Sequence, residues 1–214
     1  MEEFKRAAAE EAVELIEDGM VVGLGTGSTV SYAIKRIGEM KKITGVPTSI
    51  ETEKLAKKYG IRIGNVEDFD VIDIDIDGAD EIDRSLNLSK GLGGALYREK
   101  VVALMSRTFV VVADESKLVG SLGEKAPVSV ELLPFGHKRA IRALQSLGCR
   151  CDIREKRSDN GNMLVSCYFG PISEPSSLVE AIKSITGVVE HGLFIGMASK
   201  CFIGGRKGVT TMER

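Results

Sequence analysis

The chain has 214 residues, 43% of them hydrophobic, which is enough to bury one large core or two small ones. Its 29 Lys and Arg against 31 Asp and Glu leave a net charge of −2, so no overall basic field exists to hold nucleic acid or an anionic membrane. The expected partners are small molecules or further copies of the chain.

The start, "MEEFKRAAAEEAVELIEDG", is charged throughout, and no uninterrupted apolar run of signal-peptide or transmembrane kind follows it. A cytoplasmic protein is expected. Cys149, Cys151, Cys167 and Cys201 make no CxxC pair. A lone C-x-C with only His137 and His191 for company is weak evidence for zinc, so free thiols and no metal site are expected.

Phe4, Ala8, Ala12, Leu15 and Ile16 recur at helical spacing, and Gly19 is expected to end that helix. The strand "MVVGL", a glycine loop, a helix through "TVSYAIKRI" and a helix "ETEKLAKKYG" come next. Then follow an acid-rich strand, a loop, the helix "GALYREKVVALMSR" and the strand "TFVVVAD". Such alternation predicts a Rossmann-like α/β domain, a parallel sheet covered on both faces.

Near "EKAPVSVELLPFG" the order changes to strand "VSVEL", helix "HKRAIRALQSLG", strand "CRCDIRE", strand "MLVSCYF", helix "SSLVEAIKSI" and strand "VVEHGLFI". This is the split βαβ order of a smaller ferredoxin-like α+β domain, inserted in the first. Asn160-Gly161 marks a hairpin between its middle strands. The tail "KCFIGGRKGVTTMER" is free to return to the first sheet as one or two strands. The expected domains are therefore 1–126 with 200–214, and 127–199.

The loop "GLGTGST" at 23 to 29 follows a strand and opens a helix, where free backbone N–H groups and the helix dipole favour an anion. A dinucleotide fingerprint needs glycine at Ser28, and a Walker A loop needs lysine after Gly27; neither is present. Two readings stay open: phosphate binding through Thr26, Ser28 and Thr29, or plain helix capping by Ser28.

"DVIDIDIDGADEID" at 70 to 83 opens like a calcium loop, but Arg84 replaces the bidentate glutamate and the stretch is β-branched. Asp73 and Asp75 are expected on an edge strand, facing water. Asp77 and Asp80 lie where that strand ends, at the same rim as the glycine loop, and are the candidates for catalysis. "KGLGGALYREK" adds Lys90 beside flexible glycines, and Glu99 either on a buried helix, as a base, or at the surface in an ion pair.

In this order "VGLGTGST", "PTSIET", "DIDGADEID", "KGLGGALYREK" and "VVVADESK" resemble ribose-5-phosphate isomerase of type A. "PVSVELLPF", "DNGN" and "GVVEHGLF" carry the likeness into the second domain, over nearly the whole chain. The resemblance implies an aldose-ketose isomerase acting on a sugar phosphate, with neither metal nor organic cofactor, as a homodimer or homotetramer. It implies Glu99 as general base, Lys90 as catalytic lysine, and Asp77 and Asp80 as catalytic and sugar-binding carboxylates. Substrate-binding positions would be Thr26, Gly27, Ser28 and Thr29, then Gly78 and Ala79 beside the two aspartates, then Gly91, Leu92 and Gly93 after Lys90, and Lys117. Lys5 matches a lysine near the phosphate. Leu92 stands where such chains usually have glycine, a departure expected to cost backbone freedom.

A sugar-phosphate sensor without turnover would fit the same scaffold, but such regulators carry a DNA-binding helix-turn-helix that this start leaves no room for. A CoA transferase or an amino-sugar phosphate deaminase would not be expected to combine "DGADEID" with "KGLGGALYREK".

Overall fold

The computed structural model describes residues 1–214, and packing divides them into two units. The first comprises Met1–Ala79, Arg98–Lys117 and Met197–Arg214; the second comprises Asp80–Tyr97 and Leu118–Gly196. In chain order the elements begin with α1 (Glu2–Val13), β1 (Val21–Leu24), α2 (Val30–Met40), β2 (Thr44–Pro47), α3 (Ile50–Lys58), β3 (Arg62–Ile63) and β4 (Ile72–Asp77). They continue with β5 (Glu81–Ile82), β6 (Leu88–Ser89), α4 (Leu96–Met105), β7 (Ser106–Asp114), β8 (Val128–Leu132), α5 (His137–Ser146), β9 (Arg150–Ile153) and β10 (Met163–Tyr168). The last are α6 (Pro175–Lys183), β11 (Val188–His191), β12 (Leu193–Phe194), β13 (Lys200–Gly205) and β14 (Gly208–Glu213). No helix is long and apolar enough to cross a membrane.

In the first unit a seven-stranded sheet runs β14-β13-β7-β4-β1-β2-β3, parallel except for the edge strand β14. The tail thus returns as an antiparallel hairpin. Helices α1, α2 and α3 share one core with the sheet, through Ala8, Ala12, Ala33, Ile34, Ile37, Ala56, Ile74, Ile76 and Val110. Burying isoleucines such as Ile34 and Ile37 contributes about 1.5–3 kcal/mol each. A smaller cluster around Val46, Ile72 and Val102 joins α4 to the sheet.

Helix α1 stops at Val13, well before Gly19. Leu15 and Ile16 still bond back to Ala12 and Val13 in a turn, and Gly19, at φ 92°, belongs to the reversal into β1, its N–H donating to Lys42 O. Strand β2 gave no signal in the sequence, because glycine and proline occupy half of it. Gly45 leaves room for Leu24, since a Cβ there would lie 2.5 Å from Leu24 Cδ1 and would make that side chain shift. Pro47 is tolerated because β3 pairs only with Thr44 and Gly45.

Strand β4 is not an edge strand. It lies between β7 and β1 at the middle of the sheet, and Asp75 has 0% exposure. Asp75 pairs in register with Gly23, whose missing side chain makes the room: a Cβ would lie 2.6 Å from Asp75 Oδ1 and 2.5 Å from Val102 Cγ1. Gly23→Ala is expected to destabilise the chain by about 1–3 kcal/mol, the usual cost of overpacking, seen as a lower urea midpoint. An unchanged midpoint would show that the sheet yields there. Asp73 takes a different part, accepting from Val21 N at 2.8 Å at the start of β1 and lying 3.5 Å from the Arg107 guanidinium.

The second unit has the ferredoxin-like arrangement, a sheet β11-β8-β10-β9 with every pair antiparallel. Its core gathers Val128, Val130, Leu132, Ala140, Leu144, Val165 and Ile182. Between β9 and β10 the turn at Gly161 (φ 81°) is tied by Ser158 N to Asn162 O, and buried Glu131 accepts from Ser158 Oγ and Asn162 Nδ2. A separate small sheet, β12-β6-β5, completes the unit. Buried Glu81 on β5 accepts from the N–H groups of Gly123, Lys125 and Ala126, which fixes the approach to β8.

Candidate active site

Strands β1 and β4 are parallel neighbours with Leu24 opposite Ile76, so Gly25 and Asp77 leave the sheet together at its carboxyl end. A Cβ on Gly25 would stand 2.1 Å from Asp77 Oδ1 and 2.6 Å from Asp77 Cα, so only glycine fits. Asp77 Oδ1 accepts from Thr26 N at 3.1 Å and from Gly78 N at 2.7 Å. These two donors, one from each strand end, orient the carboxylate.

The Thr26 side chain turns inward. Its hydroxyl joins those of Thr48, Ser49 and Thr52 at 2.9, 2.8 and 3.1 Å, and Thr52 Oγ1 donates to Gly25 O. This hydroxyl cluster gives the "PTSIET" stretch its job of holding the glycine loop. Gly27 takes φ 131°, and the chain then enters α2 at the N-cap Thr29, which makes no side-chain cap bond. Capping by Ser28 is likewise not seen: Ser28 O accepts from Ser31 Oγ, and the Ser28 hydroxyl accepts from Lys5 Nζ at 3.1 Å. The N–H groups of Ser28, Thr29 and Val30 make no hydrogen bond within the protein, as the first turn of an uncapped helix requires. Amides, an exposed hydroxyl and an ammonium group thus gather at one helix start.

Also in the first unit, Glu99 has 3% exposure on α4, which removes the reading of a surface ion pair. Lys117 ends a short 3-10 turn that follows β7 and is half-buried.

In the second unit, Asp80 N donates to Ser89 O, and Asp80 Oδ2 accepts from Leu92 N at 2.9 Å. Lys90 has 3% exposure; its N–H donates to Gly192 O and its ammonium lies 5.6 Å from the Phe194 ring centre, a cation–π distance. Gly91 (φ 103°) and Gly94 (φ 88°) take left-handed backbone, whereas Leu92 does not. The leucine costs no strain, and its side chain is exposed.

Arg154, which no motif singles out, organises this loop. Its guanidinium donates to Gly91 O at 2.9 Å, Leu92 O at 3.1 Å, Ser129 Oγ at 2.6 Å and Ser166 Oγ at 2.9 Å. Burial pulls its pKa below the usual arginine value, against the raising influence of Asp80. A planar fork with several donors can tie two carbonyls and two hydroxyls at once, which a lysine could not. Lys156 reaches Gly93 O at 3.4 Å, so all three carbonyls from 91 to 93 are held by cations.

Residues 44–208 match the family model described as ribose 5-phosphate isomerase A (phosphoriboisomerase A). A ribose-5-phosphate isomerase A of Gluconobacter oxydans is 48% identical over 100% of this chain and 97% of its own length. The solved ribose 5-phosphate isomerase A of Methanocaldococcus jannaschii superposes with a TM-score of 0.94 at 41% identity, covering 100% of this chain and 99% of that one. The solved ribose 5-phosphate isomerase from Plasmodium falciparum gives 0.95 at 40% identity, with the same coverage. By these matches the chain belongs to the ribose 5-phosphate isomerase A family.

Proposed function

We propose that this chain interconverts D-ribose 5-phosphate and D-ribulose 5-phosphate through an enediolate. The observation that carries the reading is the Asp77 carboxylate, oriented by Thr26 and Gly78 at the mouth of a loop with open helix-start amides. Isomerisation moves a proton between C2 and C1 of the open-chain sugar, so one carboxylate should serve both carbons. Glu99 takes that role, a carboxylate held at 3% exposure on α4 in the motif that the family resemblance points to. Charge builds on the two oxygens during transfer, and Lys90, already ordered by burial, stabilises it more than it stabilises the ground state.

Asp77 carries the second proton between hydroxyl and carbonyl oxygens and assists ring opening, while Asp80 orients sugar hydroxyls. The phosphate lies at Gly27, Ser28 and Thr29 with Lys5 beside it, and Thr26 serves through its backbone and its hold on the loop. Gly78, Ala79, Gly91, Leu92, Gly93 and Lys117 complete the binding surface. Binding energy from the phosphate positions the reacting end of the sugar. The domain expected from the sequence at 1–126 with 200–214 is the catalytic one in this reading, with Asp80, Lys90 and the 91–93 loop belonging by packing to the second unit. The enzyme would act in the non-oxidative branch of the pentose phosphate pathway, in the cytoplasm, as a homodimer or homotetramer.

Lys90→Ala tests the reading by steady-state conversion of ribose 5-phosphate. The expected result is a larger loss in kcat than in KM, as for an interaction made in the transition state. An effect confined to KM would reduce Lys90 to a binding residue.

A further inference from the structure

Within the second unit three sulfurs that have no part in the proposed reaction converge. Cys149 Sγ lies 3.5 Å from Cys151 Sγ, Cys151 Sγ lies 3.6 Å from Cys167 Sγ, and all three are within 4.8 Å of one another. None is in a disulfide.

The fold builds this meeting from three separate pieces. Cys167 on β10 faces Cys151 on β9 directly across the antiparallel pair. Cys149 arrives from the turn after α5, where Gly148 at φ 98° reverses the chain, and its thiol donates to Leu144 O at 3.3 Å. Cys149 and Cys167 are buried among Leu144, Val165 and Ile182, while Cys151 is only partly covered and leaves a way in.

Two sulfurs in contact are ordinary core packing, since a free cysteine behaves as a small hydrophobe. Three that converge on a common point are the arrangement of a ligand set. A metal bonded to thiolates at about 2.3 Å holds them roughly 3.8 Å apart in tetrahedral geometry, and somewhat further apart in a plane. Two of the observed separations, 3.5 and 3.6 Å, fall a few tenths of an ångström short of these values, and the third is within 4.8 Å, so small rotations of the thiols would seat an ion.

We propose that Cys149, Cys151 and Cys167 form a binding site for one soft, thiophilic metal ion, Cu(I) fitting best. No fourth His, Cys, Asp or Glu joins the group, whereas structural Zn(II) sites are almost always closed by four protein ligands. Soft sulfur ligands select Cu(I), and a dry apolar surround suits an ion content with few ligands. Binding forms three metal–sulfur bonds, breaks three S–H bonds and releases three protons. No electron moves, because copper enters as Cu(I). The bound ion ties the turn after α5 to both strands of the β9–β10 pair.

The test uses the full chain, reduced and kept under argon. Cu(I) is delivered from a competing chelator, with Zn(II) titrated in parallel, and sulfur neighbours are counted by X-ray absorption. The expected result is one Cu(I) per chain with three sulfur ligands, bound at least 100-fold more weakly by Cys151→Ser and Cys167→Ser. Cys201→Ser, in the first unit, should bind as the wild type does. Circular dichroism confirms that each variant is folded, and Cys151→Ala replaces Cys151→Ser if that one is not. Equal Cu(I) affinity in Cys151→Ser and wild type, a two-sulfur site, or a preference for Zn(II) would overturn the proposal. So would a Cys151–Cys167 disulfide that persists through reduction and leaves no metal bound.

Discussion

Glu99→Gln is expected to lower kcat for ribose 5-phosphate by about 10² to 10⁴-fold, the usual contribution of a positioned general base. The amide keeps the size and most of the packing of the buried side chain but accepts no proton from carbon. Stability should change little by comparison, because Glu99 sits at 3% exposure in a site that an isosteric group still fills. Steady-state kinetics beside a urea unfolding curve separates the two effects. Wild-type turnover in the folded variant would remove Glu99 from the role of base and leave Asp77 as the carboxylate to test next.

Gly25→Ala is expected to cost about 10²-fold in kcat/KM although residue 25 brings no functional group. Its new Cβ would lie 2.1 Å from Asp77 Oδ1 and 2.6 Å from Asp77 Cα, and the second of these is backbone that no side-chain rotation relieves. The carboxylate and its donor Thr26 N must therefore shift together. A displacement near 1 Å at a reacting group is enough for a loss of about 10². The same methyl costs about 1–3 kcal/mol in stability by overpacking. An alanine variant with wild-type kcat/KM would show that the orientation of Asp77 does not govern the rate.

What the sequence made legible followed from local pattern. The β-branched runs at 72–76 and 108–112 became central strands, and the strand and helix order of the second unit gave its ferredoxin-like sheet, although the expected strand "VVEHGLFI" breaks at Gly192 into β11 and β12, which join different sheets. The tight glycines pointed to the strand ends where Asp77 and the 91–93 loop now lie. Long-range pairing was the part that local pattern does not encode. Alternation alone sends Asp75 to water, and only its place opposite Gly23 in mid-sheet makes it a buried residue. Arg154 holds Gly91 and Leu92, residues more than 60 positions earlier in the chain, and nothing in "CRCDIREK" announces it. The helix expected to end at Gly19 ends at Val13, because a glycine that permits a reversal need not be the residue that stops the helix. Cys167 likewise reached the Cys149 and Cys151 pair only through the register of β9 with β10.

The most direct test of the isomerase reading is to incubate the purified chain with ribose 5-phosphate and follow both sugar phosphates by NMR, with ribulose 5-phosphate as the starting material in a parallel sample. The account predicts that both samples reach the same equilibrium mixture, at a rate proportional to enzyme concentration and reduced about 10² to 10⁴-fold by Glu99→Gln. Ribose 5-phosphate that binds, as seen by calorimetry, and yet remains unchanged would contradict it and leave the chain a sugar-phosphate-binding protein.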